Sequence, residues 1–576
     1  MNTAHRSRRL ATALLTAVLA GTGLTVAAAP AAHAAASDAV AKLPISSYSG
    51  LAVDSVHERV YITDQRDTNS DGTVLVYDFK GQKITTLRHQ YAVSGVALSE
   101  DSATLYVGER SRVVGYDTAT LQQNGAYGAA YDTCGRQVAF AGGKVWSTHA
   151  YVFQDYQCAT APTTLDMSAD GTVNSTGWND VGRLQLAPGA RAQNRLLMGQ
   201  PKESGAANPF LASFDAGGTT PVRSASRRFA DGDGKGALDL KDMAASADGT
   251  KVAVADATAG TRLLNAGDLS DAPGQYQALP TGATSTAVAF SGDGTYIARG
   301  AQAAGSTPDL LVQSADPADG TPPLEFAFEG SLDGNGVAPR GLAWSQDGSR
   351  LFAVTRAGAG QDYWLHVIQP PAAQYDTRFS GDLAHSPSGA VAGEPLSVRG
   401  RLEWDGPAPA ESLKVTAVRE DADGTHRLGT ATVKEDGTFT VLDEPGLVGE
   451  ATYRVSFLGD LTHRPATDVT HTVAVGKAPA SITLTGPEEA TMSGGVHLTG
   501  MFTAQGKTLP ERATLAVKRA DRLGTGTLSS VTVAADGTFT VDDLPRTRRE
   551  VTYTVSWPGD DLHTGATTSA TVYVRR

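Results

Sequence analysis

A short apolar segment recurs seven times between residues 45 and 370, and this repetition limits the folds open to the chain. In the clearest copies an apolar run leads into a Ser-x-Asp turn and a second apolar run follows, as in residues 288–298. Successive copies start 42 to 59 residues apart, close to the roughly 40–50 residues of one four-stranded sheet in a radial repeat. The copies start at Leu51, Val96, Val138, Leu184, Met243, Val288 and Leu342.

Radial stacking explains why such a repeat would be stable. A single small sheet cannot cover both of its own faces, whereas sheets arranged around an axis cover one another and leave only short edges exposed. The sequence therefore predicts an all-β chain with a seven-bladed β-propeller over residues 45–370. A row of β-sandwiches along the whole chain is the alternative fold.

A second repeat, with a constant offset of 100 residues, occupies the C-terminal part. The sequence DGTFTV occurs at residues 436–441 and again at 536–541, and TYRVSF at 452–457 returns as TYTVSW at 552–557. Each copy alternates apolar and polar residues in short runs separated by Asp-Gly turns, as expected for antiparallel strands. About 100 residues of such strands make one β-sandwich.

Two proline-containing joints set the domain boundaries. Residues 369–373 (QPPAA) follow the propeller, and residues 475–479 (VGKAP) separate the two repeats, since proline ends a strand. We place one sandwich at residues 376–475 and the other at 478–576. Both joints are short, which favours domains arranged like beads with limited swing.

Family resemblances accompany both repeat systems. VVGYDTAT at residues 113–120 and LVYD at 75–78 resemble a strand of bacterial propellers of the YVTN and WD40-like kind. The pattern Tyr-x-Val-Ser-aromatic-x-Gly-Asp followed by His, across about residues 376–576, resembles the Ig-like repeats of bacterial secreted and surface proteins. That resemblance implies adhesion, spacing or scaffolding. His463 and His563 recur with the repeat, which favours a structural contact near the Gly-Asp turn.

The N-terminus has the organisation of a secretion signal. Three arginines within residues 6–9 precede the apolar run 10–29, and Ala32-His33-Ala34 suits a signal peptidase. We expect residues 1–34 to be a cleaved signal peptide and the protein to be secreted and extracellular, by the Sec or the Tat route. A membrane anchor is the alternative, although the run is only weakly apolar. No later apolar stretch of about 18 residues predicts membrane insertion.

Charge excludes one class of partner. The chain carries 61 acidic and 48 basic side chains, a net charge of −13, and has no basic block. Binding to a phosphate backbone depends on clustered Lys and Arg, so we expect no nucleic-acid partner. An extracellular protein or a polysaccharide is the expected partner, bound by a monomer.

The two cysteines, Cys134 and Cys158, are 24 residues apart. In an oxidising compartment this pair favours one structural disulfide, stabilising by roughly 3 kcal/mol. Two unpaired buried thiols, or a nucleophile, remain as alternatives.

Two segments have the spacing of oxygen ligands for calcium. In each, carboxylates or an amide alternate with other residues near a glycine that allows a sharp turn. A solvated Asp/Gly hairpin is the alternative at both. The candidate ligands are Asp67, Asn69, Asp71 and Asp78 in the first segment, and Asp231, Asp233, Asp239 and Asp242 in the second.

Aligning the seven repeats predicts one ring of side chains. The residue two before each first apolar position should enter the central channel at one rim, and cations there could hold a carboxylate, sulfate or phosphate. Alternatively, the cations pair with neighbours such as Asp132, Asp180 and Asp242. The predicted ligand-binding residues are Ser49, Ser94, Arg136, Arg183 (beside Gly182), Lys241, Thr286 and Arg340.

Common catalytic motifs are missing from the sequence, including Gly-x-Ser-x-Gly, His-Glu-x-x-His and the P-loop. We therefore interpret the chain as a secreted, non-enzymatic binding, adhesion or scaffold protein, with the propeller as the recognition face. The resemblance to bacterial propellers leaves an alternative, a lyase or lactonase with a metal-assisted site at the channel mouth. A third interpretation is a wall-associated structural spacer.

Overall fold

The computed structural model describes residues 38–65, 71–91, 93–110, 112–128, 137–150, 162–169, 172–181, 184–188, 194–200, 209–218, 220–229, 238–357, 362–407, 409, 412–505 and 513–576. The predicted signal peptide and both cysteines lie outside these residues, so the disulfide stays a prediction. The described chain is all-β, apart from a short 3-10 helix at Glu329–Asp333. Among these residues, no helix is both long and apolar enough to cross a membrane.

Strands of residues 39–368 form small antiparallel sheets, seven of them in the described residues. In order along the chain, the sheets are β2 (Tyr48–Asp54), β3 (Arg59–Asp64), β4 (Asp71–Asp78), β5 (Lys83–Tyr91); β6 (Gly95–Leu98), β7 (Thr104–Gly108), β8 (Arg112–Asp117), β9 (Gln123–Gly128); β10 (Val138–Ala141), β11 (Lys144–Ala150), β12 (Pro162–Ala169), β13 (Thr172–Val181); β14 (Gln185–Pro188), β15 (Arg195–Gly199), β16 (Phe210–Asp215), β17 (Val222–Arg228); β18 (Leu240–Ala245), β19 (Lys251–Asp256), β20 (Gly260–Asn265); β21 (Thr284–Phe290), β22 (Tyr296–Gln302), β23 (Leu310–Ser314), β24 (Leu324–Phe326); and β25 (Val337–Trp344), β26 (Leu351–Ala357), β27 (Asp362–Ile368), joined by β1 (Ala39–Leu43).

The first strands of these sheets form a closed circuit. β2 contacts β6, β6 contacts β10, and the contacts continue through β14, β18 and β21 to β25, which contacts β2 again. This is the arrangement of a β-propeller. Apolar side chains fill the spaces between neighbouring sheets, as where Val60 and Ile62 of one sheet pack with Phe352 and Leu365 of another.

The ring is completed by the N-terminal strand. β1 pairs antiparallel with β27, from Ala39 opposite Val367 to Leu43 opposite Tyr363. Leu43 is 2% exposed, and Leu365 beside it is fully buried. Residues from the two ends of the propeller sequence therefore share one sheet, with β1 as its outer strand.

The Ser-x-Asp turns explain the repeat seen in the sequence. In each, the serine hydroxyl donates to the aspartate at 2.6 or 2.7 Å, and the backbone N–H two residues beyond the aspartate donates to the same carboxylate. Hydrogen bonds from serine hold the pKa of each carboxyl below its usual value. The motif therefore stabilises the turn between the first two strands of a sheet. The turns contain Ser99 and Asp101, Ser246 and Asp248, Ser291 and Asp293, and Ser345 and Asp347.

Each C-terminal repeat forms two facing sheets around one core. The first repeat contains β28 (Thr377–Phe379), β29 (Ala384–Ser386), β31 (Leu396–Trp404) and β34 (Thr438–Asp443) in one sheet, and β30 (Ala390–Val391), β32 (Lys414–Asp421), β33 (Gly424–Thr432), β35 (Gly449–Phe457) and β36 (Ala466–Gly476) in the other. The second contains β37 (Ala480–Thr485), β39 (Val496–Ala504) and β43 (Thr538–Asp543), facing β38 (Glu489–Thr491), β40 (Thr514–Asp521), β41 (Gly524–Thr527), β42 (Val531–Thr532), β44 (Arg549–Trp557) and β45 (Ala566–Arg575).

The first repeat packs directly on the propeller, which corrects the expectation of domains arranged like beads. The backbone N–H of Ser306 donates to Asp468 at 3.1 Å, and Arg454 donates to the carbonyl of Leu332 at 3.3 Å. Leu458 joins Leu332 and Ala327 in a small buried cluster. The contacting residues are scattered through the sequence, so spacing along the chain did not reveal this interface.

The Gly-Asp-x-x-His loops hold the joints between domains. Tyr375, which precedes the first repeat, forms a parallel bridge with His463, and Ala478 forms the equivalent bridge with His563. Nδ1 of His463 lies 3.0 Å from the Asp460 carboxylate, and Nδ1 of His563 contacts its own repeat's aspartate in the same way. The prediction of a structural histidine contact is confirmed.

Candidate functional site

The starts of the first strands surround a central cavity. Its volume of about 380 Å³ lies within the range of small-molecule sites. Most lining side chains are apolar, such as Val96, Phe290 and Trp344. Among the described lining residues, three carry an amide or a charge: Gln137, Asp242 and Arg340.

β-Bulges shape the rim of this cavity. The pairing register of β2 skips Ser49, that of β18 skips Lys241, and that of β21 skips Thr286. A larger irregularity in β25 contains Arg340, whose φ is +59°. A bulge inserts one extra residue and redirects the side chains beside it.

Bulges at Ser49 and Lys241 displace the predicted ring by one position, and Ser94 lies just before the start of β6. The cavity is lined not by Ser49, Ser94 and Lys241 but by the residues that follow them, Gly50, Gly95 and Asp242. A shift of one residue along a strand turns a side chain to the opposite face.

The remaining ring candidates have separate outcomes. Arg340 is among the residues that line the cavity. Thr286 is 2% exposed and is not among the cavity residues. Lys241 pairs with Asp239 at 3.0 Å. Pairing of a rim cation with a neighbouring aspartate is the alternative to ligand binding given above. Arg136 and Arg183 lie outside the described residues.

Arg340 connects four first strands at the rim. Its guanidinium donates to the side-chain oxygen of Gln137 and, at 2.5 Å, to the backbone carbonyl of Ser49. The Gln137 amide donates onward to the carbonyl of Ser94 at 2.5 Å, and the Tyr48 hydroxyl donates to the carbonyl of Arg340 at 2.7 Å. No sequence pattern marks Gln137, because its role depends on contacts between separate sheets.

Asp242 is the other charged group among the described residues of the cavity wall. Its carboxylate accepts from the backbone N–H of Met243 at 2.8 Å and of Val288, on the next sheet, at 3.0 Å. Burial raises the pKa of Asp242 to about 7, against the opposing effect of these two N–H groups and of Arg340. Asp242 therefore changes charge near neutral pH.

The calcium predictions fare poorly where they can be examined. Asp71 begins β4 and Asp78 ends it, so at about 3.3 Å per residue they lie about 23 Å apart and cannot bind one ion. Asp78 instead accepts two backbone N–H groups of its own turn, those of Lys80 and Gln82. The calcium loop that contains Asp67 and Asn69 lies outside the described residues and stays a prediction.

The second calcium segment is only partly described. Asp239 pairs with Lys241, and both oxygens of Asp242 accept backbone N–H groups. The candidates Asp67, Asn69, Asp231 and Asp233 lie outside the described residues. Within the described part of the chain, no three His, Cys, Asp or Glu side chains are grouped to hold a metal.

Comparisons with known proteins return structural likeness only. No family model and no curated protein matches the sequence. Similar solved structures include the Cps50 (Swd1) β-propeller domain of Myceliophteria thermophila, at 15% identity and a TM-score of 0.38 over 57% of this chain and 99% of that one. Kuenenia stuttgartiensis hydrazine synthase aligns at 14% identity and a TM-score of 0.37, over 57% of this chain and 97% of that one. The Dos1 propeller aligns at 12% identity and a TM-score of 0.37, over 56% of this chain and 78% of that one.

Proposed function

We propose that this chain is a secreted binding protein in which a seven-bladed propeller takes a ligand in its central cavity. Two Ig-like modules act as spacers or docking units, the first of them held against the propeller. The ligand is a small molecule or the end of an extracellular polysaccharide or peptide. The observation that carries this proposal is the cavity itself, which is surrounded by the first strands and has Gln137, Asp242 and Arg340 in its lining.

The Arg340 side chain at the rim is preorganised for ligand binding. Arg340 is fixed by Gln137 and by the Ser49 carbonyl, so binding requires little further ordering of its side chain. The guanidinium has five N–H donors, and these contacts leave others for a ligand. The packed interface with the first module holds that module in one position relative to the cavity.

We expect Arg340→Gln to weaken ligand binding about 10- to 100-fold, because a hydrogen bond to a charged group contributes roughly 1.5–3 kcal/mol. Binding of the mature protein to arrays of glycans and peptides gives the measurement. Arg223→Gln, at an exposed position on the outer strand β17, is the matched control. Ala97→Phe, which fills the cavity from another strand, should reduce the same binding. Binding that survives both cavity variants would place the recognition surface elsewhere.

A second candidate function is catalysis in the same cavity. Asp242, with a pKa raised to about 7, is suited to general acid-base chemistry at neutral pH. Both of its oxygens already accept backbone N–H groups, which favours binding as the first proposal. Turnover of a lactone or a glycan by the wild type that disappears in Asp242→Asn would reverse this order.

A further inference from the structure

We propose that the first C-terminal repeat binds a divalent transition-metal ion, such as Zn²⁺, through the imidazoles of His385 and His471. This site is in the sandwich, and it does not depend on what the central cavity binds.

The two imidazoles meet between the two sheets of the first repeat. His385 is in β29 of one sheet, and His471 is in β36 of the other. Nδ1 of His385 lies 2.8 Å from Nε2 of His471, and the ring centroids are 5.0 Å apart. Both residues are half-buried, so the pair keeps contact with solvent.

The distance between the two nitrogens is close to that of two ligands on one ion. Zinc lies about 2.0–2.1 Å from an imidazole nitrogen, so two such nitrogens are about 2.9 Å apart at a right angle and about 3.3 Å apart at the tetrahedral angle. The observed separation is 2.8 Å. A displacement of about 0.1–0.5 Å would therefore let both rings bind the same ion.

The second ring nitrogen of His385 has an acceptor of its own. Nε2 lies 3.4 Å from the carbonyl oxygen of Ser388, and a metal-binding histidine usually donates its other ring N–H to such a group. In this tautomer the lone pair of Nδ1 faces His471, which donates from Nε2. A metal ion takes the place of that hydrogen bond when the proton of His471 moves to Nδ1 of the same ring. Both rings stay neutral, so only a tautomer changes.

Charge near the pair favours a cation. Burial and the neighbouring His385 lower the pKa of His471, and the Asp382 carboxylate acts in the opposite direction. A negative charge close enough to act on His471 also attracts a metal ion. Within the described ranges, no third His, Cys, Asp or Glu side chain completes a metal cluster, so water would fill the remaining positions. Imidazole suits zinc, copper and nickel, whereas calcium and magnesium prefer oxygen ligands.

The second repeat forms the same sandwich without such a pair. His471 is opposite Tyr453 in the strand pairing, and Ala570 is opposite the equivalent Tyr553. Residues 480–491, which contain the first two strands of the second repeat, include no histidine. The architecture therefore does not require the two imidazoles, which favours a role in binding over a role in folding.

Titration calorimetry with ZnCl₂ at pH 7.5 tests the site in the mature full-length protein, prepared without a polyhistidine tag. His471→Ala copies the residue of the second repeat, and His385→Gln removes the other ligand. We expect either change to weaken zinc binding by at least about tenfold, the lower end of what losing an outer-sphere partner costs. MgCl₂ should show no binding at this pair. The control is His497→Gln, because His497 is exposed and pairs with Asp542; it should match the wild type.

Hydrogen exchange locates the bound ion. Zinc should slow exchange in peptides from β29 and β36 and leave β37 and β45 unchanged, and His471→Ala should remove this effect. Unfolding midpoints measured without zinc check that each variant is folded. No zinc binding by the wild type, an affinity unchanged in both variants, or protection confined to other strands would each overturn the proposal. The proposed function of the cavity would stand in all three cases.

Discussion

Asp443→Asn should lower the free energy of unfolding of the first C-terminal repeat by about 1.5–3 kcal/mol, the usual contribution of a hydrogen bond to a charged group, because it removes one of two carboxylates paired with a buried guanidinium. Both oxygens of Asp443 accept from the Arg419 guanidinium, at 2.7 and 2.9 Å, and one also accepts from the Tyr453 hydroxyl at 2.7 Å. The side chains of Arg419 and Asp443 are only 9% and 7% exposed. The neutral amide would leave the buried Arg419 guanidinium with one carboxylate partner, Asp421, which lies 2.8 Å from its Nε.

Hydrogen exchange of the full-length protein, followed on peptides from β32 and β35, would measure this loss locally. Asp423→Asn, in the exposed turn after β32, is the control in the same module. Asp543→Asn removes the equivalent partner of Arg519 and Tyr553, so it should weaken the second module and spare the first. A loss below about 1 kcal/mol in both modules would show that solvent screens these pairs.

Deleting residues 38–43 should destabilise the propeller by at least about 5 kcal/mol. The deletion removes β1, and with it about five backbone hydrogen bonds of roughly 1 kcal/mol each and the buried Leu43, which contributes about 2 kcal/mol. Leu365 and Val367 of β27, now buried, would lose their cover. An open sheet edge is also a template for aggregation.

The expected readouts are a lower midpoint of thermal unfolding and faster hydrogen exchange in β26 and β27. Val40→Thr is the control, since Val40 is in the same strand but exposed and threonine is also a good strand former. A deletion variant with an unchanged midpoint would mean that the ring does not depend on closure by β1.

The fold could be read from the sequence where its signals are local. The Ser-x-Asp turn depends on hydrogen bonds within five residues, as at Ser291 and Asp293, so its repetition marked the sheets directly. Six of the seven predicted starts lie in the first strand of a sheet, and Leu184 lies one residue before β14. The offset of 100 residues is also seen in the strand pairing of the two repeats: Thr416 pairs with Ser456 in the first, and Ala516 pairs with Ser556 in the second.

The candidate site was harder to predict from the sequence, because contacts between separate sheets determine its geometry. Bulges at Ser49 and Lys241 shift which residue faces the cavity, and no local pattern announces them. The sequence pattern predicts Asp242 as a calcium ligand or as a partner of rim cations, but its carboxylate accepts the backbone N–H of Val288 on a neighbouring sheet. The carboxylates at Asp71 and Asp78 suggested a loop, whereas the apolar run between them forms a strand.

The loop that contains Asp460 and His463 forms a β-bridge with the segment that leads into its own repeat, and the loop at Asp560 and His563 does the same. Each repeat therefore contains the loop that pairs with the linker leading into it. An additional repeat inserted at residue 476 would contain the loop that its own upstream linker needs for pairing. The reach of the molecule could thus lengthen in equal steps through gene duplication, without any redesign of the units already present.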